Sequence, residues 1–226
     1  MEYIPLAYQY LFSLVVTIVL TNIPYIGKYF KVINTMIHES AHAIVSLLLN
    51  AEVVQIELFS NTSGTTLTKT NSKWKRFLIS FVGYPFATAT AWLIYMFAIY
   101  KWYTAGLIFL LIIVILNLIF FVRNIYGIFW LITYGLLIGT VLYFNNTLAI
   151  TVVLYITAGI ILVESLISII QLLIIAYKQP DKAGDAKNLK DITQIPALFW
   201  VFVFLFLSCY ILWNISRKFL ITPFLK

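Results

Sequence analysis

The chain reads as an all-α polytopic membrane protein of about six to seven transmembrane helices, with a small β-hairpin after the helix that carries its HExxH motif. Three observations predict this. Of 226 residues, 62% are hydrophobic and only 10% charged, whereas a soluble domain carries about 25% charged residues. Several apolar runs reach the roughly 20 residues needed to cross a bilayer core. The 15 lysines and arginines stand singly or in small clusters at the ends of those runs, where membrane topology puts them. That placement excludes a nucleic-acid surface as the meaning of the +7 net charge. The lone Cys209 lies inside an apolar run, so no internal disulfide can form.

The first apolar run, about 3–25, lacks a basic leader and a small-x-small cleavage site, so it is expected to be a retained span. It ends in Asn22, Pro24 and Gly27, with Lys28 and Lys31 beyond. The second, Ile33 to Asn50, has 18 residues and is barely long enough to cross. The texture then changes: in EVVQIELFSNTSGTTLTKT, residues 52–70, short β-branched runs flank Asn61 to Gly64, which reads as a hairpin turn between two strands. Lys101 and Arg123-Asn124 divide the next apolar stretch into spans at about 77–100, 102–121 and 125–144. Asn145-Asn146 turns the chain into a span at about 147–176, a polar segment occupies 177–194, and a last span covers 195–216, capped by Arg217 and Lys218. No internal repeat is present, and 1–226 is expected to form a single membrane-embedded domain.

With seven crossings, the N-terminus, the hairpin, Arg123 and the polar segment share one face. That face holds Lys69, Lys73, Lys75, Arg76, Arg123, Lys178, Lys182, Lys187 and Lys190, nine of the 15 cations. Lys28, Lys31, Lys101, Arg217, Lys218 and Lys226 lie on the other. The positive-inside rule therefore favours a cytoplasmic hairpin face, although the first span, with two cations behind it, points the other way.

The second run poses the chemical question, because INTMIHESAHAIVSLLLN carries His38, Glu39 and His42 in its middle. Two histidines four apart project from one helix face. At that spacing they can bind one Zn²⁺, with Glu39 placed to act as general base. These are the only 2 histidines in the chain, and one of its 8 acids stands at the required place. A charged side chain in a spanning helix costs at least ~2.5–3.5 kcal/mol, which favours metal binding over polar packing between helices. The remaining need is a third protein ligand. Glu2, Glu52, Glu57, Glu164, Asp181, Asp185, Asp191 and Cys209 are the available donors, and spacing alone does not choose among them. The extended motif with a third histidine is excluded, since Val45 and Leu48 occupy its Gly and His positions.

HESAHAIVSLLLNAEVVQIEL followed by SGTTLTK resembles the site-2 protease family of intramembrane zinc peptidases, in its branch of small bacterial and plant B-type members. The likeness continues in FVGYP (81–85), RNIYG (123–127) and GDAKNLKDITQIPALFW (184–200). The resemblance implies that His38, His42 and Asp185 hold one Zn²⁺ and that Glu39 is the catalytic base. It implies a membrane-protein substrate with a transmembrane segment, cut within or near the bilayer, and a multi-pass protein of the bacterial cytoplasmic membrane. Strands near the active site of such proteins can pair with an unwound substrate. One departure is that this chain lacks the N-x-x-P-x-x-x-x-D-G pattern of the site-2 proteases proper, which leaves the oxyanion-stabilising group open. The rival reading is a site-2-protease-like protein that binds metal without cutting, acting as regulator or chaperone.

Overall fold

The computed structural model describes residues 5–221. In chain order the elements are α1 (Leu6–Asn22), α2 (Ile26–Leu48), β1 (Glu52–Leu58), β2 (Gly64–Lys69), α3 (Lys73–Ile99), α4 (Tyr103–Leu116), α5 (Ile125–Tyr143), α6 (Thr147–Lys178), α7 (Gly184–Thr193) and α8 (Ala197–Ser216). Side-chain caps mark two starts. Ser72 accepts a hydrogen bond from the Lys75 amide ahead of α3, and Asn146 accepts one from Ala149 ahead of α6.

Five helices are long and apolar enough to cross a membrane, and α1 with α2 supplies a sixth candidate as a pair bent by 114°. The two runs read as separate spans are thus one bent unit, and α2 begins at Ile26 rather than Ile33. The bend is local chemistry. Pro24 cannot continue α1, Tyr25 takes a positive φ of 62°, and Gly27 lies against α1, where a Cβ would sit 2.2 Å from the Thr21 carbonyl oxygen. The start of α1 packs on the far ends of α3 and α8, with Tyr10 against Tyr95, Ser216 and Phe219. It therefore lies at the opposite end of the bundle from the hairpin, which corrects the shared face expected from seven crossings. The hairpin, Arg123 and the segment 177–194 do meet at one end, where Val122 bridges to Ile56 and Gly184, Asp185 and Asn188 share a cavity wall with β2.

At the centre lie α2, α3 and α6. Val32, Ile33, Met36, Ile37 and Ala43 of α2 are buried in the main core, beside Ala87, Ala91 and Ile94 of α3 and Leu154, Ala158 and Ile161 of α6. A second apolar cluster lies under α7. Ala183, Ala186 and Leu189 recur at helical spacing and pack with Ile169, Leu172 and Phe204.

The hairpin pairs antiparallel from Glu52 opposite Lys69 to Leu58 opposite Gly64, with an irregularity between Val53 and Gln55. Behind it, α4 ends in a π-helical turn over Asn117–Phe121, and Val122 forms a parallel bridge to Ile56. Asn124 then fastens β1: its Oδ1 accepts from the Leu58 amide at 3.0 Å and its Nδ2 donates to the Leu58 carbonyl at 2.5 Å. Arg123 donates to the carbonyls of Ile119 and Phe120 in the π-helical turn and to that of Val122 just past it.

Candidate metal centre

Four elements build the site. On α2, His38 and His42 stand one turn apart on the same face, and Asp185 comes from the first turn of α7. Asp185 Oδ2 lies 3.2 Å from His38 Nε2 and 3.3 Å from His42 Nε2, and the two Nε2 atoms are 3.1 Å apart. Ligands at zinc distances on a tetrahedron stand about 3.3 Å from one another. Among the described residues these three form a group able to hold a metal ion, with all donor atoms within 4.8 Å.

The chemistry of the donors fits a cation. His42 Nδ1 lies 2.7 Å from the Ile79 carbonyl oxygen, which can only accept, so the proton sits on Nδ1 and Nε2 presents its lone pair. Asp185 turns Oδ2 toward both Nε2 atoms and supplies the anionic donor of the set. Its position at the start of α7 favours the anion as well.

How α7 reaches the histidines follows from its sequence. Gly184 adopts φ +46°, a conformation open to glycine, and turns the chain from Pro180–Lys182 into the helix. The apolar stripe on α7 then seats against α6 and α8, which leaves Asp185 facing α2.

Glu39 is buried, and its Oε2 accepts a hydrogen bond from Thr66 Oγ1 at 2.6 Å; the same hydroxyl lies 3.1 Å from the Glu39 carbonyl. The base candidate is thus held by β2. Two glycines permit the close packing. A Cβ on Gly64 would stand 2.7 Å from Thr35 Cγ2 and 2.8 Å from Glu39 Cγ. One on Gly83 would stand 2.4 Å from His38 Cε1 and 2.8 Å from His42 Cε1. Tyr84 sets its ring edge-to-face on His38, with centroids 4.5 Å apart.

The other acids considered from sequence lie elsewhere. Glu164 pairs with Lys31 at 3.1 Å, Glu52 with Lys69 at 3.0 Å, Asp181 with Lys190 at 3.2 Å, and Asp191 with Lys187. Glu57 accepts from Gln55 Nε2 at 2.9 Å, and Cys209 is exposed. Glu2 lies outside the described residues.

A cavity of about 590 Å³ opens over the centre, walled by Asn34, His38, Glu39 and His42 of α2, Gly64 to Thr68 of β2, Ser80 and Tyr84 of α3, Ser168 of α6 and Asp185 of α7. Sequence reasoning missed Thr66, Gly83 and Tyr84 as site residues. Their signal was present in SGTT and FVGYP, segments quoted for their family likeness without a physical role.

The family model described as Peptidase M50B-like matches residues 11–215. No curated protein and no solved structure gives a match. The match spans the bent helix pair, the hairpin and every residue of the centre, and the chain belongs to the Peptidase M50B-like family, the B-type branch of the site-2 protease peptidases.

Proposed function

We propose that this protein is an intramembrane zinc endopeptidase that cuts membrane-protein substrates within or near the bilayer. The observation that carries the reading is the meeting of His38 Nε2, His42 Nε2 and Asp185 Oδ2 within 4.8 Å, beside Glu39 in a cavity lined by β2. Family membership makes peptide hydrolysis the reaction class.

His38, His42 and Asp185 would hold one Zn²⁺, which supplies Lewis acidity that lowers the pKa of a water and polarises a carbonyl. Glu39 takes the proton from the attacking water and returns it to the leaving nitrogen. Thr66 keeps that carboxylate in one orientation through its hydrogen bond to Oε2. The substrate's transmembrane segment must unwind before its amides can be attacked. β2 is suited to receive it. The free edge of β1 is occupied by Val122 and Asn124, while β2 has only β1 as a strand partner among the described residues. An extended peptide can add to that second edge. With six candidate spans the protein is a multi-pass membrane protein, and its proposed site of action is the bacterial cytoplasmic membrane.

The test uses detergent-purified full chain, metal analysis and a peptide substrate containing a transmembrane segment. Wild type should carry one zinc per chain and cleave. Glu39→Gln should keep the metal and lose cleavage. Undiminished proteolysis by fully loaded Glu39→Gln defeats the assignment of the base. Stoichiometric zinc without cleavage of any membrane substrate by wild type instead favours a metal-binding regulator.

A further inference from the structure

The site as described supplies metal ligands and a base, but no protein group for the oxygen that gains charge when water adds to a peptide carbonyl. Such oxygens are stabilised by preorganised hydrogen-bond donors in a cavity with little water, where each donor counts for more than it does in bulk solvent. Three hydroxyls on the cavity wall that lie near the base and the motif helix are committed as donors. Thr35 donates to the Thr62 carbonyl at 2.6 Å, Thr66 to Glu39 at 2.6 Å, and Ser168 to the Glu164 carbonyl at 2.6 Å.

Tyr84 differs. It lines the same cavity, and its hydroxyl makes no hydrogen bond among the described residues. Its ring is fixed on two sides, edge-to-face on His38 at 4.5 Å and stacked on Phe204 at 5.2 Å with an interplanar angle of 27°. The backbone beside it cannot drift from the metal ligands, because Gly83 lies in contact with both imidazoles. A phenol keeps its proton at neutral pH and is a donor ready for an oxyanion.

We propose that Tyr84 is a catalytic residue whose hydroxyl donates a hydrogen bond to the scissile carbonyl oxygen as that oxygen becomes negatively charged. The O–H bond stays intact throughout. Water oxygen bonds to the carbonyl carbon, the C–N bond breaks, and the water proton travels through Glu39 to the leaving amine. The assignment rests on the peptidase reading above and completes it, filling the role that the missing N-x-x-P segment left open.

The experiment compares wild type with Tyr84→Phe, both full-length and zinc-loaded, using the transmembrane peptide and its phosphinic analogue, whose tetrahedral phosphinyl group replaces the scissile amide. Tyr84→Phe removes one oxygen and keeps the ring contacts, so zinc content and melting temperature should match wild type. The expected result is a fall in kcat of about 10²-fold with KM nearly unchanged. Affinity for the phosphinic peptide should fall in parallel, while binding of uncut substrate, measured in the Glu39→Gln background, stays the same. Equal phosphinic-peptide affinity in wild type and Tyr84→Phe overturns the assignment, as does loss of zinc from Tyr84→Phe, which would make Tyr84 a packing residue. Wild type that binds the phosphinic peptide but cleaves nothing overturns the peptidase reading alone.

Discussion

At the scale of single residues, the centre depends on the direction of each donor more than on the motif spacing. His42 presents Nε2 because Ile79 holds its other nitrogen at 2.7 Å, and Asp185 is the acid whose oxygen lies between both rings. Asp185→Ala should therefore lower zinc affinity by at least the 10–100-fold typical of losing a mere outer-shell partner. Glu164→Ala should retain full zinc, since Glu164 is engaged by Lys31. Metal analysis of the two variants side by side decides the third ligand, and equal retention in both would refute it. Thr66→Val tests the carboxylate's orientation. The variant loses a hydrogen bond to a charged group, about 1.5–3 kcal/mol, so kcat should drop roughly 10- to 100-fold with zinc content intact. Unchanged kcat would mean that the Thr66 bond does not position the base.

At the scale of elements, β1 of the hairpin is docked by a single side chain whose purpose was hidden in the sequence. Asn124 makes both of its bonds to Leu58, and Gly127 leaves room for it, since a Cβ there would meet Asn124 Oδ1 at 2.6 Å. Asn124→Ala should loosen β1 and speed hydrogen exchange at the Leu58 amide, with little change at α8; equal exchange at Leu58 would show that Val122 suffices. The motif helix and the strand pair were legible, because an apolar run and short β-branched runs around a turn cluster announce them. The roles of Asn124, Thr66 and Gly83 were not. Each acts on a partner more than 25 residues away along the chain, and local patterns carry no such distances. Arg123 was open to two readings, and the structure gives it a third task, capping the carbonyls of the π-helical turn.

At the scale of the whole molecule, hydropathy counted apolar length but not direction, which is why α1 and α2 read as two crossings when they form one bent pair. The bend brings the first half of α2 against α6 deep in the bundle, and there Lys31 meets Glu164 at 3.1 Å, with side chains 24% and 8% exposed. An isolated charge at that depth is costly, and a paired one much less so. Lys31→Met would leave the Glu164 carboxylate without its counter-ion. Breaking a buried pair costs about 3 kcal/mol or more, and the partly exposed lysine places this one at the low end. The melting temperature should fall by several degrees, at about 2–4 °C per kcal/mol for a chain of this size. Lys31→Met with Glu164→Gln removes both charges and should recover most of that loss, because the penalty belongs to the orphaned carboxylate and not to the missing pair. If the single variant melts with wild type, the carboxylate is hydrated or protonated in place. If the double variant is no better than the single, the pair orients α2 against α6 through its geometry, and zinc affinity at His38, two turns further along α2, should fall with it.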